Sequence, residues 1–222
     1  MMDQLLTNLR GALLEIYELG GPVVLLLIAV SIVTLAVILY KLWQFRAAGV
    51  GRHKALRHAV EAWDSGDEAV ARRELARSKS YLKPVVELAM TGRCDTARLD
   101  AEAETRFAKL ESGFRFLDSV AQLSPLMGLF GTVLGMISAF QALQDAGSQV
   151  DPSILAGGIW VALLTTAVGL AVAMPTSVVL SWLETRMEAE RVLAEKSLRS
   201  IQSPSGTHVG AETAAQGSYA HA

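Results

Sequence analysis

The chain has 222 residues, is 51% hydrophobic and carries a net charge of -2, with a mean hydropathy of +0.34. It is too apolar for an ordinary soluble domain and too short for more than a few membrane spans beside one modest polar region. The near-neutral balance gives no global basic field for nucleic acid, and the single Cys94, most simply a reduced cytosolic thiol, excludes an internal disulfide.

Residues 1–20 hold three acids and one base, with no basic residue ahead of an apolar run, so they do not read as a cleavable signal peptide. Leu5, Leu9, Leu13 and Ile16 fall on one stripe. A short amphipathic helix on the membrane surface and a frayed terminus fit this segment equally. Gly20, Gly21 and Pro22 predict a break, after which residues 21–40 form the first transmembrane helix. Its Ser31 and Thr34 can bond back to their own helix. Lys41, Arg46, Arg52, Lys54 and Arg57 then precede the first acid, Glu61, which places the N-terminus outside and residue 41 onward inside.

Residues 41–118 have helix-forming composition and no strand-like alternation, and read as a helical cytoplasmic region divided near Gly66 and Pro84. From Leu99 the apolar positions Ala103, Phe107, Leu110, Phe114 and Leu117 recur every three or four residues, which predicts one helix running unbroken into the second transmembrane helix, 119–144. Those 26 uncharged residues make about 39 Å of helix, more than the roughly 30 Å of a bilayer's hydrocarbon core. The loop 145–151 has two acids and no base and belongs outside. Pro152 suits the first turn of the third transmembrane helix, 152–183. Leu183, Met187, Ala194, Leu198 and Ile201 carry its stripe into a cytoplasmic extension, 184–201, and residues 203–222 read as a disordered tail.

Two narrow faces stand out. Ser124, Gly128, Gly131, Gly135, Ser138 and Ala142 line one side of the second span, and Gly158, Ala162, Thr166, Gly169, Ala173 and Thr176 one side of the third. In lipid, small faces let helices approach closely, because van der Waals packing must replace the hydrophobic drive. Three spans hardly enclose a pathway with such faces to spare, so a homo-oligomeric ring is expected. The fold class is an all-α integral membrane protein with three transmembrane helices, the second and third extended into the cytoplasm.

No Asp, Glu, Lys, Arg or His lies inside the spans, which removes the usual intramembrane proton relay. The polar groups left are hydroxyls: Ser124, Thr132 and Ser138 in the second span, Thr165, Thr166, Thr176 and Ser177 in the third. His53 and His58 are five apart with no co-ligands arranged beside them, so metal binding is not expected. No Gly-Lys-Ser/Thr follows the glycines and no nucleophile–base set suggests itself, so neither an enzyme nor a cofactor site is expected.

Ser-Pro-Leu-Met-Gly-Leu-Phe-Gly-Thr-Val-Leu-Gly-Met-Ile-Ser-Ala-Phe at 124–140 and Ala-Leu-Leu-Thr-Thr-Ala-Val-Gly-Leu-Ala-Val-Ala-Met-Pro at 162–175 resemble the second and third spans of the MotA/TolQ/ExbB proton-channel family. Within it the likeness is strongest to ExbB and TolQ, and it extends over about residues 15–200. The resemblance implies a bacterial inner-membrane subunit, N-terminus periplasmic and C-terminus cytoplasmic, that forms a pentamer around two copies of a single-span ExbD- or TolR-like partner. It further implies a complex that uses the proton gradient to drive TonB or TolA. By position, the family's pore threonines fall on Thr132 and Thr166, with Thr165 beside them a further candidate. Many ExbB and TolQ proteins have a glutamate where this chain has Val161, and a Tyr-Asn pair where it has Leu180 and Ser181. A non-conducting scaffold that only holds partner helices is the alternative.

Overall fold

The computed structural model describes residues 2–92, 94–145 and 152–205, without the side chains of 2–10, 12–19 and 154. The described residues form helices and no strands: α1 (Met2–Ala48), α2 (Lys54–Asp64), α3 (Glu68–Arg77), α4 (Lys83–Met90), α5 (Thr96–Glu111), α6 (Phe114–Asp145) and α7 (Pro152–Gln202). The stripe of Leu5, Leu9, Leu13 and Ile16, most of the 145–151 loop and residues 206–222 of the tail lie outside the described residues or side chains.

Among the described residues three helices are long and apolar enough to cross a membrane, over Gly20–Ala48, Phe114–Asp145 and Leu155–Gln202. They build one compact unit from Met1–Leu39 and Gly113–Trp182; Tyr40–Ser112 and Leu183–Ala222 build a second. In the first unit α1 is sharply bent at Gly21, whose φ of 67° and ψ of -171° leave the helical region. Pro22 disfavours the α conformation at the residue before it, and glycine takes the left-handed φ without a Cβ penalty. Large apolar side chains such as Ile32, Phe130 and Leu163 point outward, as helices facing lipid do.

The second unit has its core where the stripes predict. Leu99, Ala103, Phe107 and Leu110 of α5, and Leu183, Met187, Ala194, Leu198 and Ile201 of α7, are all buried. Asp67 caps α3 by accepting from the Val70 amide, and Asp95 caps α5 by accepting from Arg98. Pro84 sits in the first turn of α4, where its missing N–H costs nothing.

The expected unbroken helix from Leu99 into the second span is not what forms. α5 stops at Glu111, Ser112 is extended (φ -53°, ψ 128°), Gly113 takes φ 91°, and α6 starts afresh at Phe114. The buried Lys41 explains the stop: its ammonium donates to the Leu110 carbonyl at 3.1 Å and to Ser112 Oγ at 3.2 Å, besides Gln44 Oε1 at 2.7 Å. A cation at a helix C-terminus satisfies carbonyls that have no amide of their own. The apolar stripe runs straight through the break, with Leu110, Phe114 and Leu117 all buried, so periodicity carries no trace of it.

Candidate functional site

The spans meet along a seam of small residues on α6 and α7. A β-carbon built on Gly169 would lie 2.5 Å from the Ser124 carbonyl oxygen and 3.1 Å from Gly128 Cα. One built on Gly128 would lie 2.9 Å from the Thr165 oxygen and 3.0 Å from Thr166 Cα. Further along, Gly131 faces the Thr165 side chain at 2.7 Å, Gly135 faces Ala162 at 3.3 Å, and Gly158 lies against Ala139. Backbone thus approaches backbone over several turns, which only hydrogen in place of a side chain permits. Ala173 of α7 is buried as well.

This geometry changes two expectations. The two small faces are used on each other within one chain, so they do not supply the spare surfaces from which a ring of copies was argued. The register also differs: Ser138 and Ala142 are exposed and Ala139 is the residue in the seam. On α7 it is Thr165, only 1% exposed, that sits fully in the seam, while Thr166 is half-buried. The paths 162–165–169 and 162–166–169 both follow one helix face, which is why spacing alone does not choose between them.

The hydroxyls are held as follows. Thr165 Oγ1 lies 2.7 Å from the Ala162 carbonyl of its own helix and 3.1 Å from the Gly128 carbonyl of α6. Thr166 Oγ1 reaches the same Gly128 oxygen at 3.5 Å, the outer limit of a hydrogen bond. Thr132 donates to Leu129 of its own helix at 2.6 Å, and Thr176 to Val172 at 2.7 Å. Thr165 and Thr166 therefore meet at Gly128, one turn before Thr132, whereas the Thr132 hydroxyl bonds within α6. A cavity of about 440 Å³ opens beside the seam, lined by the bend of α1 at Gly20–Val23, by Gly131, Gly135 and Ser138, and by Val161 and Thr165. Val161 brings no charge to that wall.

In the second unit lies a buried polar cluster that sequence reasoning missed. His53 Nε2 is 2.6 Å from Glu190 Oε2, with both side chains 3% exposed. Glu190 also accepts from the Gly51 amide at 2.9 Å and from the Tyr81 hydroxyl at 3.0 Å. Burial pushes the Tyr81 phenol well above its usual range and the adjacent Glu190 carboxylate pushes it further, so it stays a donor. Nearby, Arg191 pairs with Glu104 and with Glu111, the latter at 2.8 Å, and its guanidinium lies 4.9 Å from the centre of the Phe107 ring. Among the described residues no group of three or more His, Cys, Asp and Glu is arranged to hold a metal ion.

Residues 63–196, which include α3 to α6 and most of α7, match the family model described as the MotA/TolQ/ExbB proton channel family. The chain belongs to this family. An ExbB homolog of Methanothermobacter thermautotrophicus is 28% identical over 189 residues, 82% of this chain and 67% of its own length. The Tol-Pal system protein TolQ of Haemophilus influenzae is 36% identical over 53% of this chain and 50% of its own. The biopolymer transport protein exbB1 of Vibrio cholerae is 43% identical over 30% of this chain and 29% of its own. The chain thus spans about two thirds of the first of these relatives and half or less of the others. Membership makes it an ExbB/TolQ-like multi-pass membrane subunit of a proton-channel family, not of an enzyme family, and the seam joins two of its three apolar helices.

Proposed function

We propose that this chain is the ring-forming subunit of an inner-membrane complex that uses the proton-motive force to energise TonB- or TolA-dependent processes, together with an ExbD/TolR-like single-span partner. The observation that carries this reading is the absence of any Asp, Glu, Lys, Arg or His from 21–40, 119–144 and 152–183, the apolar stretches of a proton-channel family member. A proton crossing here needs a carboxylate from elsewhere, and a partner helix held among several copies supplies it. The N-terminus lies in the periplasm and the polar unit and C-terminus in the cytoplasm, as the Lys/Arg excess after the first span supports. A pentamer is the expected copy number.

Around the guest carboxylate, Thr132 and Thr166 donate and accept hydrogen bonds or hold water, and so help to desolvate the acid. Thr166 is the better placed, because its contact with Gly128 is long and easily exchanged for a stronger one. Thr165, held at both 2.7 Å and 3.1 Å, stabilises the seam beside it.

The test is proton flux in liposomes holding this protein with and without its partner. The protein alone should not conduct. With partner, Thr132→Val and Thr166→Val should keep expression and assembly yet cut flux. Full flux from the double variant, or flux from this protein alone, overturns the pathway. The scaffold reading draws support from the back-bonded hydroxyl of Thr132, and it predicts no flux under any of these conditions.

A further inference from the structure

The His53–Glu190 cluster has no part in the proposed pathway, yet it holds a buried imidazole whose hydrogen bonds can be assigned one by one. Nε2 lies 2.6 Å from Glu190 Oε2, and at that distance two bare lone pairs would repel, so Nε2 carries a hydrogen and donates it. The Gly51 amide then belongs to Glu190 Oε1 at 2.9 Å, and not to the imidazole nitrogen 3.1 Å away. That leaves Nδ1, 2.9 Å from Ser80 Oγ, as the acceptor of the neutral ring. Ser80 Oγ already accepts from the Leu82 amide at 3.1 Å, so its own hydrogen points to Nδ1. Each polar atom of the chain Glu190–His53–Ser80 is satisfied with the ring neutral.

The same atoms accommodate one more proton with one small movement. If Nδ1 takes a proton, the Ser80 hydroxyl turns and accepts from it as well as from Leu82, while Nε2 goes on donating to the carboxylate. The ring then becomes a cation in direct contact with a buried anion, a charge-assisted bond stronger than the neutral one. We propose that His53, Ser80 and Glu190 form a proton-responsive latch that fastens the 49–53 turn to α7 more tightly when Nδ1 is protonated. The turn follows α1 directly and Glu190 lies on the continuation of the third apolar helix, so the latch fixes the end of one membrane helix against another within the second unit.

The charged groups around the ring set the sign. From α7, Glu190 favours the cation, while Arg186, whose guanidinium lies against Gly51, opposes it. From the segment before α4, Tyr81 faces the ring edge-on at 6.1 Å and stays protonated. From α5, Glu104 and Glu111 share the single Arg191, which leaves one net negative charge on that side, of the same sign as Glu190. The direct contact is with the carboxylate, so protonation tightens the latch. Imidazole is the side chain whose charge ordinarily changes near neutrality, the range in which a compartment receiving protons varies. Only the source of the protons rests on the proposed function; the latch itself is tested without flux.

The amide of Gly51 reports it directly. Hydrogen exchange of the 49–53 segment should be measured in the full-length protein at pH 6 and pH 8 and corrected for intrinsic rates, beside nitrogen NMR of the imidazoles with His53→Gln as the assignment control. Wild type should show Gly51 roughly tenfold better protected at pH 6, about the factor that one strengthened hydrogen bond carries. His53→Gln and Glu190→Gln should remove that dependence. Should His53→Gln not fold, the wild-type spectra decide alone: a ring that stays neutral from pH 5.5 to 8.5 overturns the latch. Equal protection at both pH values, or the same dependence surviving in His53→Gln, overturns it too.

Discussion

Gly169→Ala is the sharpest probe of the seam, because what the new methyl group meets is backbone. It would lie 2.5 Å from the Ser124 carbonyl oxygen and 3.1 Å from Gly128 Cα, and neither atom can move unless α6 and α7 part. Ordinary contact begins near 3.4 Å, so the helices must separate locally by most of an ångström. Overpacking of this kind costs about 1–3 kcal/mol. The separation also stretches the 3.1 Å bond from Thr165 to Gly128, worth about 0.5–1.5 kcal/mol. The total is about 1.5–4.5 kcal/mol. Gly157 supplies the control: nothing lies within 4 Å of its added carbon, so Gly157→Ala should be neutral or gain up to about 1 kcal/mol from helix propensity. Gly135→Ala, facing Ala162 at 3.3 Å, should fall between. Unfolding in mixed micelles, followed by circular dichroism, ranks the three. Gly169→Ala as stable as Gly157→Ala would refute the close approach from which the seam is argued.

Lys41→Met keeps the apolar stem but removes the donor to Leu110 and Ser112; it should cost about 1–3 kcal/mol and expose Gly113 to proteolysis, and an unchanged cleavage rate would mean that another group ends α5. Tyr81→Phe tests the raised phenol. Its unfolded value is near 10.0 and its folded value higher, so its contribution is complete below pH 10 and lost as pH rises beyond it. The difference in thermal midpoint between wild type and Tyr81→Phe should hold from pH 7 to 9.5 and shrink above, and a constant difference at pH 11 would count against a buried donor. Single cysteines at Asp3, Ser65 and Ser148, on a Cys94→Ser background, should label from outside, inside and outside; external labelling of Ser65 would reverse the topology.

What could be read in the chain depended on how local its cause was. The spans needed only composition and length, and the core stripes of α5 and α7 needed only a repeat of three to four residues. The bend at Gly21 was legible because glycine followed by proline writes a backbone restriction into two adjacent residues. The break at Gly113 was not, since its cause is Lys41, more than 70 residues earlier, reaching the carbonyl of Leu110. His53 and Glu190 are 137 positions apart; each by itself looks like an ordinary side chain of a polar region, and only folding brings them within 2.6 Å.

The seam also limits where the proposed partner helix could bind. Seen as two free small-residue faces, α6 and α7 invite a guest onto their glycines, but those glycines already lie against Thr165, Ala162 and Gly128 of the same chain. A guest must approach from another side. On α6, Leu129, Phe130 and Val133 are all about half exposed or more, and Thr132 lies among them, half-buried. On α7, Thr166 stands one residue beyond the fully buried Thr165 and retains exposure. Both threonines proposed for the pathway therefore lie at the margin of the seam, where a carboxylate on a neighbouring helix could reach a hydroxyl without separating α6 from α7. On this account, bulk added to the glycines weakens the subunit itself, whereas removing a hydroxyl at 132 or 166 leaves the fold intact and touches only conduction. The two sets of variants should therefore separate cleanly, stability moving with the first and flux with the second.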